Sequence, residues 1–278
     1  MLKFYFIYVF LVSFLNCLNI DDFGAISNDS GYDTAMKNGL AIFSAMGVAN
    51  SGMDRFVYIT GANKTYTMLP IGFYLNFTNV ILQIDARVNA YESGNGTLWP
   101  KDSNGRSFAM FSFMNSKNLV IKGSGIMEGF GYLWWWNVIQ YGHDNRPNLI
   151  DIFNGVNTII DGITLLNSPQ YHLNLRNQLN CTVKNVKIQV DITDDDGSVL
   201  QWLPTFPLNT DGIDISGKDI YFKNLTIENF DDAIAVKPSY NSTQIFDTII
   251  NCTENVLVED SFVKYGVGMS IGKIRAYV

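Results

Sequence analysis

The sequence predicts an all-β domain in which short parallel strands stack into a β-helix, and three observations predict it. Apolar segments recur along the chain, each opening on Asn or Asp and continuing with alternating Val and Ile. Few two-residue hairpin turns separate them, which disfavours antiparallel pairing. The segments start 39, 39, 23, 39 and 36 residues apart, and a β-helix tolerates such uneven loops better than a propeller does. They open at Asn79, Asn118, Asn157, Asn180, Asp219 and Asn255.

The first 18 residues have the composition of a secretion signal. Lys3 supplies a positive start, and residues 4–15 form an apolar run. That run is shorter than the roughly 20 residues that span a bilayer. We therefore expect residues 1–18 to be a signal peptide and residues 19–278 to form the β-helix domain. A buried first strand is the alternative for the apolar run.

One segment shows the periodicity of an amphipathic helix. It covers residues 34–45, and a helix here would cap the open start of the strand stack. Its apolar face would consist of Ala35, Leu40, Ala41, Phe43 and Ala45.

The recurrent asparagines lead to a further expectation about the strand stack. Equivalent positions of successive coils lie about 4.8 Å apart, so side-chain amides can hydrogen-bond in ladders that run along the stack. We expect such ladders at the starts of the repeated segments. An antiparallel β-sandwich is the alternative fold for these strands.

Composition and charge restrict the compartment and the partners. A hydrophobic content of 47% supports a large buried core and excludes a disordered chain. The net charge of −7 argues against nucleic acid, which requires clustered Lys and Arg. No segment after residue 18 is apolar enough to span a membrane, so we expect neither nucleic acid nor a membrane as partner. The Cys and His residues lack metal-ligand spacing, which argues against a zinc site.

Glycosylation sequons support secretion. Eight asparagines stand in Asn-x-Ser/Thr without an intervening proline, and we expect a secreted, extracellular glycoprotein. These asparagines are Asn28, Asn63, Asn76, Asn95, Asn180, Asn224, Asn241 and Asn251. Cys181 and Cys252 either pair in an oxidising compartment or remain two separate thiols, and the sequence leaves both open.

Three aspartates carry the clearest chemistry. Asp211 and the pair Asp231-Asp232 are about one coil apart, so coil stacking brings them to one face. Carboxylates this close repel, which raises the pKa of at least one. Glycoside hydrolysis uses one protonated and one ionised carboxyl group: the acid protonates the leaving oxygen, and the base activates water. In an inverting enzyme the two groups stand roughly 6.5–9.5 Å apart.

The adjacency of Asp231 and Asp232 imposes a geometric condition. Neighbouring residues on a regular strand point to opposite faces, so these two share a cleft only if the strand ends or bulges there. The alternative is that one of them caps a turn.

The same stretch resembles glycoside hydrolase family 28, the polygalacturonases and their pectin-degrading relatives. The family's signatures are Asn-Thr-Asp, Asp-Asp, Gly-His-Gly and Arg-Ile-Lys, in that order. The first two stand here as Asn209-Thr210-Asp211 and Asp231-Asp232. Further segments extend the resemblance over nearly the whole mature chain: Asp22–Ala25, Asp33–Ala35, Gly123–Ile126, Gly129–Gly131, Trp134–Trp136 and Asn167–His172.

The resemblance implies a right-handed parallel β-helix that hydrolyses pectic polysaccharide with inversion. It also implies a monomer that needs no metal and no other cofactor. Carried over residue by residue, Asp231 is the general acid, while Asp211 and Asp232 activate the water. Three further residues are expected to contact the sugar: Asn209, Lys237 and His172.

Two departures from the family pattern bear on activity. The third signature aligns with Gly266-Val267-Gly268, so a valine, which can neither carry charge nor hydrogen-bond through its side chain, replaces the supporting histidine. The Arg-Ile-Lys segment, which in the family binds the substrate carboxylate, does not occur before Val278, and Arg275 lies too close to Gly266 to match it. We therefore expect C-terminal coils to be missing and this chain to have little or no activity.

The favoured function is hydrolysis of pectic polysaccharide, and two alternatives are kept. One is a non-catalytic or vestigial carbohydrate-binding protein that keeps the fold. The other, weaker one is a pectate lyase, which would need calcium-binding acids and a basic residue. Trp134–Trp136 would pack in the core or stack on sugar rings in each case.

Overall fold

The predicted fold class is confirmed, because the strands pair in parallel and stack coil upon coil. The structure is a computed structural model that describes residues 17–92, 96–141, 144–193, 207–239, 243–245, 248–250 and 252–272. Predictions that fall outside these residues concern residues 1–16 of the signal peptide, Arg275, and the sequons at Asn95, Asn241 and Asn251.

Two α-helices accompany the strands in the described part of the chain. They are α1 (Tyr32–Ser51) and α2 (Tyr132–Tyr141), and a short 3-10 helix covers Ile20–Phe23. The strands are β1 (Leu18–Asn19), β2 (Phe56–Ile59), β3 (Thr65–Met68), β4 (Phe73–Leu75), β5 (Ile81–Ile84), β6 (Arg87–Ala90), β7 (Phe111–Met114), β8 (Val120–Lys122), β9 (Ile126–Glu128), β10 (Ile150–Phe153), β11 (Val156–Asp161), β12 (Thr164–Leu166), β13 (Leu173–Lys184), β14 (Lys187–Gln189), β15 (Ile213–Lys223), β16 (Thr226–Asn229), β17 (Asp232–Val236), β18 (Thr243–Ile245), β19 (Thr248–Ile250), β20 (Glu254–Glu259), β21 (Phe262–Tyr265) and β22 (Gly268–Ile271).

Three faces of parallel strands surround the core. The first face runs through β4, β7, β10, β13, β15, β17 and β22, and the second through β1, β2, β5, β8, β11, β13, β15 and β20. The third runs through β3, β6, β9, β12, β14, β16 and β21. The first two meet in the long strands β13 and β15, whose register shifts between Leu175 and Gln178. Each coil therefore contributes one stretch of strand to each face.

Aliphatic side chains stacked from coil to coil form the core. Ile150, Leu173, Ile213 and Ile234 follow one another across four coils and are fully buried. Burying each of them contributes about 1.5–3 kcal/mol. The alternate positions on the same strands point outward, and they form the cleft described below.

Helix α1 covers the predicted segment and extends beyond it at both ends. Ile42 and Met46 lie in the core, and the helix contacts β2 and β3. Leu40, which we assigned to the apolar face, is instead 55% exposed, because it lies on the side of the helix away from the strands. The buried Asn38 amide donates to the carbonyl oxygens of Ile26 and Thr67, which attaches the helix to the first coils.

The predicted asparagine ladder is present at the starts of the second-face strands. The Nδ2 of Asn118 donates to Oδ1 of Asn79 at 2.6 Å, and the step repeats from Asn157 to Asn118 and from Asn180 to Asn157, each at 2.7 Å. All four have φ between 54° and 57°, the left-handed conformation that asparagine tolerates better than most residues. Asp219 has no amide hydrogen to donate to Asn180, and the ladder resumes when Asn255 donates to Asp219.

Two predicted glycosylation sites belong to ladders. Asn180 and Asn224 use the Nδ2 that would carry a glycan to donate to the asparagine one coil before. A glycan on either residue would take the place of a hydrogen on the nitrogen that donates in the ladder. Asn63 and Asn76, by contrast, are exposed. The cysteines are free thiols: Cys181 is buried and Cys252 is exposed, so the alternative of two separate thiols holds here.

Helix α2 was not predicted, and it carries the tryptophan run. Trp134 and Trp135 are buried, so they pack in the protein, whereas Trp136 is 37% exposed. The Trp99 ring meets Trp134 edge-on at 5.9 Å. Neither α1 nor α2 has the length and apolar content of a membrane span.

The ladder predicts a measurable contribution to stability. Asn118→Ala removes two ladder hydrogen bonds and forces alanine into a φ of 54°, so we expect the free energy of unfolding to fall by about 2 kcal/mol. Asn118→Gly removes the same bonds without the backbone strain and should cost about half as much. Urea denaturation of the three proteins measures both. Unchanged stability of Asn118→Ala would contradict the ladder's role.

Candidate active site

A cleft of about 620 Å³ lies on the outer side of the first face, across β13, β15, β17 and β22. It brings together the three predicted catalytic aspartates, and two of the three predicted sugar contacts line it with them. Its lining residues are Tyr171, Arg176, Asn209, Asp211, Asp214, Asp231, Asp232, Lys237, Pro238, Ser270, Ile271 and Gly272.

Asp231 and Asp232 can share the cleft because regular strand alternation does not apply at this point of the chain. Asp231 lies in the turn before β17, Asp232 begins that strand, and the pairing with β22 shifts register between Asp232 and Ile234. The buried Asn229 amide holds this turn, because its Nδ2 donates to the carbonyl oxygens of Thr210, Asp231 and Asp232 at 2.9–3.0 Å.

Backbone hydrogen bonds orient the Asp231 carboxylate. Its Oδ2 accepts from the N–H of Asn209 at 3.0 Å, and its Oδ1 accepts from the N–H of Asp232 at 2.9 Å. Its carbonyl oxygen accepts from the N–H of Val267. The segment where a valine replaces the expected histidine therefore contacts the aspartate through its backbone, while the Val267 side chain is 72% exposed.

The three carboxylates lie very close together. One oxygen from each of Asp211, Asp231 and Asp232 lies within 4.8 Å of the others. These oxygens are closer than the roughly 6.5–9.5 Å expected between the carboxyl groups of an inverting enzyme. A single water can hydrogen-bond to two oxygens at this spacing. Among the described residues, this trio is also the set that could hold a metal ion, through hard oxygen ligands.

A fourth aspartate changes the electrostatics of the trio. Burial, reinforced by the charges of Asp214 and Asp231, raises the pKa of Asp211 to about 8. Burial also raises the pKa of Asp214, although Lys237 and Arg176 oppose it. The buried Oδ1 atoms of Asp211 and Asp214 have no N–H donor, and a proton on the Asp211 carboxyl, donated to Asp214, satisfies both. At neutral pH the pair therefore holds a proton.

Two cations face the cleft from beside Asp214. The Lys237 Nζ lies 3.4 Å from Oδ2 of Asp214 and 3.9 Å from Oδ2 of Asp211, and Nη2 of Arg176 lies 3.3 Å from the same Asp214 oxygen. Both side chains are about a quarter exposed, so they contact the carboxylate below and the open cleft above.

His172 does not line the cleft, contrary to our expectation of a sugar contact. Its imidazole is fully buried below Asp211, and burial lowers its pKa to about 4, so it is neutral. Nε2 accepts from the N–H of Ser168, which leaves Nδ1–H to donate to the Asp211 carbonyl oxygen at 3.0 Å. The histidine therefore positions the Asp211 backbone from inside the coil.

Arg146 holds the segment that carries Asn209. Its buried guanidinium donates to the carbonyl oxygens of Pro169 and Leu208 and to Oδ1 of Asn209, and it pairs with Asp144. Because the Asn209 N–H binds the Asp231 carboxylate, Arg146 connects a neighbouring loop to the site. Asn209 itself lines the cleft as expected.

Sequence reasoning missed several residues of the site. Asp214, Arg176 and Tyr171 line the cleft, and Asn229 holds the turn that carries Asp231. No local motif marks these four residues, apart from the position of Asp214 three residues after Asp211. Burial, followed by the charges of Asp211 and Asp214, raises the pKa of Tyr171 to about 12, so its phenol stays a hydrogen-bond donor. Arg176 could have been found by aligning β13 with β15, because it occupies an outward-facing position on the coil next to Asp214.

Comparison with known proteins finds related chains. Residues 65–277 match the model of Glycosyl hydrolases family 28. A probable polygalacturonase of Arabidopsis thaliana is 24% identical over 273 residues, covering 97% of this chain and 50% of that protein. Endo-xylogalacturonan hydrolase A of Aspergillus tubingensis is 32% identical over 151 residues, covering 52% of this chain and 34% of that protein. The chain thus spans half or less of the length of these relatives.

The same fold occurs in solved structures. A hyperthermoactive exopolygalacturonase from Thermotoga maritima aligns with a TM-score of 0.60 at 17% identity, covering 79% of this chain and 54% of that chain. At this identity the likeness establishes a shared fold.

The raised pKa of Asp211 predicts a pH-dependent cost in stability. Between the pKa of the unfolded carboxyl and that of the folded one, the unfolded chain has released a proton that the folded chain keeps. The free energy of unfolding therefore falls as the pH rises from about 4 toward 8. Asp211→Asn removes this titration and should raise the free energy of unfolding by about 1–3 kcal/mol at pH 8.

Thermal denaturation across this pH range measures the effect. The advantage of Asp211→Asn should shrink toward pH 4, where the wild-type carboxyl is protonated in the folded state and increasingly in the unfolded one. If the gain in the free energy of unfolding from Asp211→Asn does not change with pH, the pKa of Asp211 is not raised in the folded protein. Asp22→Asn, at an exposed carboxylate outside the cleft, should have little effect at any pH.

Proposed function

The chain belongs to glycosyl hydrolase family 28, and on that premise we propose that it hydrolyses glycosidic bonds of a pectic polysaccharide. The observation that carries the proposal is the cluster of Asp211, Asp231 and Asp232 oxygens within 4.8 Å, on the wall of an open cleft. Acid and base catalysis needs carboxyl groups within hydrogen-bond reach of one glycosidic oxygen and one water.

In the proposed reaction the three aspartates divide two tasks. Asp231 protonates the leaving oxygen as general acid, and Asp211 and Asp232 orient and deprotonate a water on the other side of the sugar. The oxygen spacing suits a water that contacts two carboxylates at once. The closest carboxylate oxygens lie nearer than the separation usual for inverting enzymes, so inversion is part of the proposal on the strength of the family pattern alone.

The Asp211–Asp214 pair holds a proton at neutral pH in the free protein. Asp211 acts as a base only after this proton has left it. The proposed reaction therefore requires Asp211 to lose its proton and Asp231 to carry one when the substrate is bound.

Lys237 and Arg176 are the proposed partners of a uronate carboxylate. They are the cations that line the cleft in the described part of the chain, and each pairs with the same oxygen of Asp214. A substrate carboxylate above them would share these cations with Asp214, and charge-assisted hydrogen bonds of this kind are stronger than neutral ones.

A second candidate function is carbohydrate binding without turnover, which agrees with the little or no activity expected from the two departures from the family pattern. The observation that favours it is Val267, which offers the cleft no side-chain donor where the family has histidine. In that case the aspartates would still hydrogen-bond to sugar hydroxyl groups.

Reducing-end release from polygalacturonate by the full chain tests the hydrolase. Asp231→Asn should lower kcat by about 10²–10⁴-fold, because the amide cannot donate the required proton. The matched control is Asp260→Asn, at an exposed turn position with a φ of 50° that asparagine accepts. Oligogalacturonide binding without any release of reducing ends would support the second candidate instead.

Replacing Lys237 tests the substrate carboxylate. Lys237→Met keeps the length of the side chain but removes its charge, so KM for polygalacturonate should rise by about tenfold with a smaller change in kcat. Lys237→Arg should recover most of the loss. If neither variant changes KM, Lys237 does not contact the substrate.

A further inference from the structure

A second pocket of about 360 Å³ lies beside the catalytic cleft, at the ends of β14, β16 and β21. Its lining residues are Gln189, Val190, Asp191, Ile192, Thr193, Glu228, Phe230 and Tyr265. Phe230 is the residue directly before Asp231, so the two pockets share the turn that leads into β17.

An aromatic pair forms one wall of this pocket. The rings of Phe230 and Tyr265 are stacked at 5.5 Å with an interplanar angle of 4°. Tyr265 has a φ of 72°, an uncommon conformation for a tyrosine, and the residue is 64% exposed. A large aromatic side chain held at such a backbone angle and left largely exposed needs a structural cause.

The cause lies in the next residue, Gly266. A Cβ there would lie 2.3 Å from the Asp231 carbonyl oxygen and 2.4 Å from Oδ1 of Asn229. The close approach of this glycine to the catalytic turn fixes the end of β21. That contact fixes the Tyr265 ring against Phe230, one residue from the general acid.

The pair is also supported from the interior. Phe230 packs with Ile192 against Trp135 and Val190, which form a separate small hydrophobic cluster. The Trp135 Nε1 donates to the carbonyl oxygen of Ser168. Phe230 therefore has a packed base, which is the property of a surface that binds a ligand without rearranging.

The charges around the pocket select against an anion. Asp191 and Glu228 line it, and no cation does among the described residues. The Lys264 ammonium, outside the pocket lining, lies 4.3 Å from the centre of the Tyr265 ring, and Lys264 is paired in register with Glu228. A uronate carboxylate would meet two carboxylates here, whereas hydroxyl groups could donate to both.

We propose that this aromatic pocket binds a neutral sugar unit attached to the acidic backbone whose cleavage is proposed above. The proposal rests on that function, since it takes the backbone to lie over Lys237 and Arg176. Apolar C–H faces of a pyranose pack on the aromatic wall, and its hydroxyls bond to Gln189, Asp191 and Glu228. The cleft would thus bind an anionic unit of the backbone, and the aromatic pocket would bind its neutral branch.

Equilibrium binding of two matched probes to the full chain tests the proposal. One probe is a linear oligogalacturonide, and the other is the same oligomer with xylosyl branches. We expect the branched oligomer to bind about fivefold more tightly. Tyr265→Asn keeps a residue that accepts the left-handed backbone and removes the ring, so it should abolish this difference and leave the Kd of the linear oligomer unchanged.

The matched control is Phe262→Ala, on the same strand at 56% exposure and outside the pocket lining, which should leave both Kd values unchanged. Equal affinity of the wild-type chain for the two probes overturns the neutral-sugar pocket and leaves the hydrolase proposal standing. Equal weakening of both probes by Tyr265→Asn also overturns it. Binding of neither probe overturns both proposals.

Discussion

The register between coils is the constraint on which the rest of the molecule depends. Each strand pairs in parallel with its equivalents one coil before and one coil after, so a residue is placed by its position in the coil. This register stacks Ile150, Leu173, Ile213 and Ile234 inside. It also places polar side chains from distant parts of the sequence side by side outside, and the cleft is made of these.

The cleft concentrates negative charge at a cost to folding. Asp211 and Asp214 are almost fully buried. The pKa of each is raised because the protein interior solvates a charged carboxylate less well than water does. Lys237 and Arg176 offset part of this cost. A cluster of charges that is unfavourable for the free protein is typical of sites selected for chemistry rather than for stability.

The parts that could be predicted from sequence are those set by local patterns. Period-2 alternation and recurrent Asn residues indicated the strands, the ladder and the turns, because asparagine combines a left-handed backbone with an amide that can reach the next coil. Short sequence signatures led to Asp211, Asp231 and Asp232, which the coil stack does bring together. Their catalytic roles remain a proposal.

The parts that could not be predicted depend on contacts between coils. Leu40 is exposed and His172 is buried because neighbouring coils, rather than the adjacent residues, decide which side meets solvent. Arg176 lies on the outward face of β13 and meets Asp214 only through the pairing of that strand with β15. Helix α2 was not predicted, because a run of three tryptophans does not by itself indicate a helical period, and the contacts of Trp134 and Trp135 come from distant parts of the chain.

The asparagine ladder has a direction. Every amide hydrogen in it points toward the coil made earlier, and every free acceptor oxygen points toward the coil made later. Each completed turn of the chain therefore presents a ready row of acceptors to the turn that follows it. A chain that is synthesised from its N-terminus can assemble in the order in which it emerges, with every finished coil acting as the template for the next.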